Sequence, residues 1–217
     1  LNRIELSYIF DILNIPAVKF AGEATGKLYI NDLFNSRMLY TNLEVENFSF
    51  NQTKLGRLDL FSEWDDLQKG ISMLGNIYKN DTTWTDVRGY IYPVGPNAGL
   101  SLHFDANDID LSFIRPFVEK VVSNLQGQGF GNVHLYGPFK ELNVEGKALV
   151  KNGGLGIDFL NTYYTFTDSV FMDKGSVRLN NTLITDKFGN SGRVNLTFNH
   201  KHFKDFDFQV NVQANNM

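Results

Sequence analysis

Apolar and polar residues alternate strictly near the end of the chain. Phe206, Phe208, Val210, Val212 and Ala214 fall on one side of the pattern, and Asp207, Gln209, Asn211 and Gln213 on the other. A period of two is that of a strand with one face buried. The same alternation recurs upstream. Val194, Leu196 and Phe198 alternate with Asn195 and Thr197; Val177, Leu179 and Leu183 with Arg178, Asn180 and Thr182. Leu142, Val144, Ala148 and Val150 repeat it around Gly146, as do Leu100, Leu102 and Phe104, the pair Leu58 and Leu60, and the pair Leu28 and Ile30. Turns are expected at Asp186–Asn190, Asn152–Gly154 and Val94–Asn97, where Gly and Asn gather. Many short strands with such spacing predict a mainly β architecture.

One segment has another period. Between Ser112 and Gln126, apolar residues stand at Phe113, Ile114, Phe117, Val118, Val121, Val122 and Leu125. That spacing predicts an amphipathic helix of about three to four turns. Ser112 suits the N-cap, Pro116 is early enough to be tolerated, and Gly127 follows the last turn.

The helix start reveals a repeat. Ile109-Asp-Leu-Ser-Phe-Ile114 matches Ile4-Glu-Leu-Ser-Tyr-Ile9 at an offset of 105 residues. The same offset pairs Gly22 with Gly127, Gly26 with Gly131, Leu28 with Val133, Ile30 with Leu135, Phe34 with Phe139, Val45 with Val150 and Asn47 with Asn152. Two units are expected, 1–105 and 106–217, joined as one continuous module. Each would hold a strand, a Ser-capped helix, a Gly-rich turn and several strands. By this analogy Tyr8–Leu13 is a short helix capped by Ser7. The second unit would carry an extra hairpin around Asn161–Thr185. Stacked repeats build an elongated body with a continuous apolar surface.

Composition narrows the partners. The 217 residues include 19 Phe and 9 Tyr, which favour strands, and carry a net charge of −4. No basic stripe suited to nucleic acid stands out. With no cysteine, thiol catalysis, disulfides and Cys–zinc sites are excluded. The most apolar stretch, Tyr8–Phe20, is broken by Asp11, Asn14 and Pro16 and is too short and polar to span a bilayer.

Several residue groups invite chemistry and fall short of it. His200 and His202 flank Lys201 without a third ligand. Asp105, Asp108 and Asp110 lack the glycine and final Glu of a calcium loop. Gly127–Gly131 follows a helix and enters a strand, the reverse of a phosphate-binding turn. Glu63, Asp65 and Asp66 around Trp64 suit a sugar platform, and equally a turn after a strand. No nucleophile motif is present, so no enzyme, metal or cofactor is expected. The repeated apolar face must then be covered. It either forms the core of a closed β-sandwich, with loops such as Trp64 or Tyr92–Asn97 binding glycan or protein, or curls around something apolar.

A family resemblance favours the second. The order of Ile109-Asp-Leu-Ser-Phe-Ile-Arg-Pro-Phe117, Val133-His-Leu-Tyr-Gly137-Pro138, Leu142-Asn-Val-Glu-Gly146-Lys-Ala148, Tyr163-Tyr-Thr-Phe-Thr-Asp168, Gly175-Ser-Val-Arg-Leu179 and His202-Phe-Lys-Asp-Phe206 resembles the TamB family, translocation and assembly module proteins related to the AsmA-like group. The resemblance implies a curved sheet folded lengthwise into a taco-like apolar groove, with one or two short amphipathic helices. It implies an internal piece of an inner-membrane-anchored protein that crosses the periplasm of a Gram-negative envelope, with no transmembrane segment in this stretch. It implies an outer-membrane partner of the Omp85 class, and phospholipid or unfolded outer-membrane protein segments as cargo. The groove lining expected is Leu28, Ile30, Leu58, Leu60, Leu100, Leu102, Phe104, Val133, Leu135, Leu142, Val144, Val177, Leu179, Val194, Leu196, Phe198, Phe206, Phe208, Val210 and Val212.

Overall fold

A computed structural model of the chain describes residues 1–7, 20–31, 38–50, 52–93, 95, 98–119, 122–157, 161–202 and 204–214. Thirteen strands form one antiparallel sheet in strict sequence order. They are β1 (Ile4–Glu5), β2 (Phe20–Asn31), β3 (Met38–Phe50), β4 (Thr53–Asp65), β5 (Gly70–Asn80), β6 (Thr83–Tyr92), β7 (Gly99–Asp110), β8 (Ser123–Pro138), β9 (Asn143–Ile157), β10 (Thr162–Asp173), β11 (Ser176–Asp186), β12 (Ser191–Lys201) and β13 (Lys204–Ala214). The expected mainly β fold is thus present, as a single open sheet rather than two facing ones. The first and last strands do not pair with each other.

Alternation translates into two chemically distinct faces. One row of cross-strand partners runs Gly26, Leu43, Leu60, Gly75, Val87, Phe104, Val133, Gly146, Met172, Val177, Phe198, Phe208 through every strand from β2 to β13. Each member is apolar or glycine. The row one residue away, on the opposite face, runs Thr25, Glu44, Asp59, Asn76, Asp86, Asp105, Asn132, Lys147, Phe171, Arg178, Thr197, Gln209. It is polar everywhere but Phe171. A one-residue slip in any strand would exchange the two faces, so burial holds the register.

The apolar face is concave at its first half. Leu6, Ala24, Val45, Phe48, Leu55, Leu58 and Ile77 form a buried cluster, and Ile109 and Phe113 pack on it from the far side of β6. Residues from β2 to β7 meet there only because the sheet bends back on itself.

The 105-residue offset is visible in the register. Ile4 pairs with Ala24 and Ile109 with Gly129; Ala24 with Val45 and Gly129 with Val150; Ile30 with Leu39 and Leu135 with Val144. Each second pair is the first displaced by 105 residues. The backbone agrees. Gly26 and Gly131 have φ of 143° and 144°, and Asn47 and Asn152 have φ of 52° and 50°. Six strands, β2 to β7, are followed by six more, β8 to β13, in the same order. The boundary expected at residues 105 and 106 lies inside β7, and the sheet is continuous there.

Four local expectations are corrected. The segment Asn161–Thr185 is no added hairpin: it holds β10 and β11, the counterparts of β4 and β5. Gly127–Gly131 and Asn152–Gly154 are not turns but lie within β8 and β9. A Cβ on Gly131 would stand 2.3 Å from the Lys147 carbonyl oxygen, so glycine there permits close strand approach instead of chain reversal. In β11 the alternation skips a residue. Asn181 takes φ 51° and the register shifts between Leu179 and Thr182. Thr182 and Ile184 therefore turn inward, buried, and Leu183 points out, 54% exposed.

The predicted helix over Ser112–Gln126 is the fourth. A 3₁₀ turn, Leu111–Ile114, leads into one α-helical turn, α1 (Arg115–Val118). Residues from Ser123 onward belong to β8, paired with Gly156 and Gly154. Strand pairing outweighs the helical period that the sequence continues past α1 at Val121, Val122 and Leu125. The N-cap is Asp110, whose carboxylate accepts from the Ser112 N–H at 2.8 Å. Ser112 Oγ is freed to share a 3.0 Å hydrogen bond with Thr53 Oγ1. Leu6 and Ser7 open a helical turn at the equivalent place; the short helix expected over Tyr8–Leu13 lies outside the described residues.

Candidate functional site: the apolar lining of the sheet

Register assigns nearly every expected lining residue to one face. Leu28, Leu58, Leu60, Leu100, Leu102, Phe104, Val133, Leu135 and Val144 share it in the first nine strands. Val177, Leu179, Val194, Leu196, Phe198, Phe208, Val210 and Val212 continue it. Phe206 stacks on Phe198 at 4.9 Å from the same side. Ile30 pairs with Leu39 in this register, but its side chain lies outside the described residues. Leu142 is the exception: it sits in the turn before β9, where the Asn143 side-chain amide donates to the Glu141 carbonyl.

Burial along the face is graded. Leu58 and Ile77 are buried beneath Leu6 and Phe113. Phe113 packs against Phe50 with ring centroids 5.6 Å apart. A cavity of about 80 Å³ lies at this end beside Leu55, Ile77, Thr85 and Ile109. Farther along, Leu60, Val87, Leu102, Phe104, Val133, Leu135, Val144, Val177, Leu196 and Phe198 are only half-buried. On β13, Phe208, Val210 and Val212 are 37%, 58% and 49% exposed. The trough is stopped at one end and uncovered toward the other.

Sequence reasoning missed some lining. Met73, Ile71 and Ile91 belong to the inner face, and so does Trp64, opposite Ile71. Hydroxyls interrupt it too: Ser62 donates to Met73 Sδ at 3.1 Å, and Thr182 is fully buried. Bulges put Thr182 there, which a strict period of two does not find.

The other groups resolve into structure. Asp65 Oδ1 accepts from the Leu67 and Gln68 N–H groups, and Tyr90 donates to Oδ2. The Gln68 N–H is the main reason its carboxyl lies below its ordinary range. Asp66 accepts from Trp64 Nε1 at 3.1 Å. The acidic residues around Trp64 thus build the β4–β5 turn. Asp108 has φ 63° and pairs with Lys79 at 2.8 Å. His200 is buried at the end of β12 and His202 occupies the following turn. Among the described residues no group of three or more His, Asp or Glu is placed to hold a metal, and no helix is long and apolar enough to cross a membrane.

On the outer face, His103 and His134 stack with centroids 3.9 Å apart and planes at 8°. They sit in the row Arg88, His103, His134, Glu145. His134 Nε2 shares a 2.9 Å hydrogen bond with Ser101 Oγ. Burial, then the neighbouring His103, hold the His134 pKa below its ordinary value, against the pull of Glu145.

Compared with known families, curated proteins and solved structures, the chain matches none.

Proposed function

We propose that this chain is a non-enzymatic periplasmic groove module of a TamB-like protein, shielding phospholipid acyl chains or outer-membrane protein segments between the two membranes of a Gram-negative envelope. The observation that carries the reading is the apolar row crossing all twelve strands from β2 to β13, half-buried through much of its length. No charged residue stands in that row, so an acyl chain lying along it would desolvate no ion.

The magnitudes are suitable for transfer. If cargo covered about 20 Å² on each of about ten lining residues, burial would contribute about 5 kcal/mol. That corresponds to sub-millimolar binding, strong enough to hold and weak enough to release. The polar outer rows keep the loaded body in water. The family resemblance supplies the envelope location and the Omp85-class partner, as parts of this same proposal.

Native mass spectrometry of the purified chain tests it, with photo-crosslinking at Phe104 and Val210 on the inner face and at His103 and Gln209 on the outer. Bound phospholipid captured from the inner positions alone is expected. Absence of lipid together with equal labelling of both faces would remove the proposal.

A further inference from the structure

We propose that the outer face of β2 to β5 seats an arginine side chain carried on an extended segment of a partner protein. The seat lies on the face opposite the trough and holds whatever the trough carries. Next to the polar outer row, one row runs Asn42, Phe61, Leu74 across β3, β4 and β5. The row beyond it sets Tyr29 against Tyr40, and Tyr40 against Glu63. Tyr29 is 64% exposed and Leu74 55%. A contiguous apolar group on the solvent side, rimmed by polar residues, marks a contact surface.

The rings are arranged for a cation. Phe61 stands edge-to-face to Tyr40, with centroids 5.4 Å apart and planes at 85°. Tyr29 tilts against Tyr40 from the other side at 59°. Rings at such angles do not cover one another's faces, as the parallel rings of His103 and His134 do. Open aromatic faces attract cations. Glu63, directly across from Tyr40, is exposed and has no hydrogen bond or ion pair among the described residues. The chain's own cations in these rows, Lys27 and Arg88, stand at the two ends, and neither lies over one of these rings.

The same face shows what such a seat holds. The Arg57 guanidinium lies 4.6 Å from the Tyr78 ring centroid and pairs with Asp59 at 3.2 Å. Tyr40, Phe61 and Glu63 offer the same combination of ring and carboxylate to a guanidinium from outside the chain. A guanidinium can stack on a ring and fork a carboxylate at once, which an ammonium cannot. Charge is complementary as well. Residues 1–105 hold 13 Asp and Glu against 9 Lys and Arg, and residues 106–217 hold 11 of each, so the net charge of −4 belongs to the first unit. Glu44, Asp59 and Asp86 stand in the row beside Phe61 and Leu74. Arg57 feels that field: Asp59 first, then Glu44 and Glu46, hold its guanidinium protonated more firmly than usual, against desolvation. With strands about 4.8 Å apart, β2 to β5 spans about 14 Å, room for about four residues of extended chain. One arginine would lie on Tyr40 and Glu63, with an aliphatic neighbour over Leu74.

Fluorescence anisotropy of a short labelled peptide of alternating arginine and valine, mixed with the full chain, tests the seat. The peptide should bind at least about tenfold tighter than its citrulline counterpart, which keeps the shape and loses the charge. Glu63→Gln and Tyr40→Leu should each weaken it by about threefold to tenfold. Asp105→Asn removes a carboxylate on the same face three strands from Glu63, and should leave binding within about twofold. Equal losses in Glu63→Gln and Asp105→Asn would mean a diffuse field without a seat, and would overturn the proposal even if Tyr40→Leu failed to fold. Equal binding of the citrulline peptide would overturn it too. So would displacement of the peptide by neutral maltohexaose, which would assign the rings to a glycan.

Discussion

The Phe113 ring lies 5.6 Å from that of Phe50, tilted at 59°, so the turn after β7 is pinned to the end of β3. The Ser112–Thr53 hydroxyl contact lies beside it. Together they close one end of the trough over Leu55 and Ile77. Phe113→Ala should cost about 2 kcal/mol, below the range for a fully buried Phe because the ring is only partly covered. Urea unfolding would measure it against Leu67→Ala, a turn residue 93% exposed, for which no change is expected.

Close strand approach at Gly26 and Gly131 predicts matched behaviour in the two units. An added Cβ would stand 2.1 Å from the Asn42 carbonyl oxygen in one and 2.3 Å from the Lys147 carbonyl oxygen in the other, at φ near 143° in both. Gly26→Ala and Gly131→Ala should each destabilise by about 1–3 kcal/mol through backbone strain. Denaturant midpoints lowered in one variant and unmoved in the other would break the equivalence.

Acid should loosen the sheet. His134 and His200 both have pKa values below the ordinary 6.5, burial being the first cause for each. The unfolded chain then binds protons more readily, so stability rises with pH in that window. It is fully present above about 6.5 and is lost as pH falls through the lowered folded values. Thermal melts at pH 7.5 and 5.5 should show a fall that shrinks in His134→Gln. A melting temperature independent of pH would contradict this.

Charge on the two faces should act differently. Phe104→Glu points into the trough, whereas Ser101→Glu lies on the outer face. The first should lower the enhancement of an apolar fluorescent probe several-fold, and the second should leave it near that of the parent. Probe titration of both folded variants reads the difference directly.

Much of this face was legible from alternation, because a half-buried strand has little choice. Val194, Leu196 and Phe198, or Leu100, Leu102 and Phe104, can be buried on one side only. Reading failed where the backbone steps out of period. Asn181 at φ 51° inverts the pattern between Leu179 and Thr182, so Leu183 was placed inward and is exposed. The glycines of 127–131 suggested a turn, because the close approach at Gly127 and Gly131 is to the neighbour β9, and that at Gly129 to Ile109 and Leu111. Likewise Val122 and Leu125 continue a helical spacing, yet the β9 residues Gly154 and Gly156 recruit their segment into the sheet. Local spacing carries no information about a partner 30 residues away. The stacking of His103 on His134 was invisible for the same reason.

The strict sequence order of the sheet has a kinetic meaning. Each strand from β2 onward needs only the strand made just before it, so no pairing waits for a distant segment to arrive. Most loops to be closed are short hairpins, and contact order is low for an all-β chain of this length. The body can thus grow vectorially, one hairpin at a time. Under tension applied at the Ala214 end it should come apart the same way, β13 first, in small steps rather than one rupture.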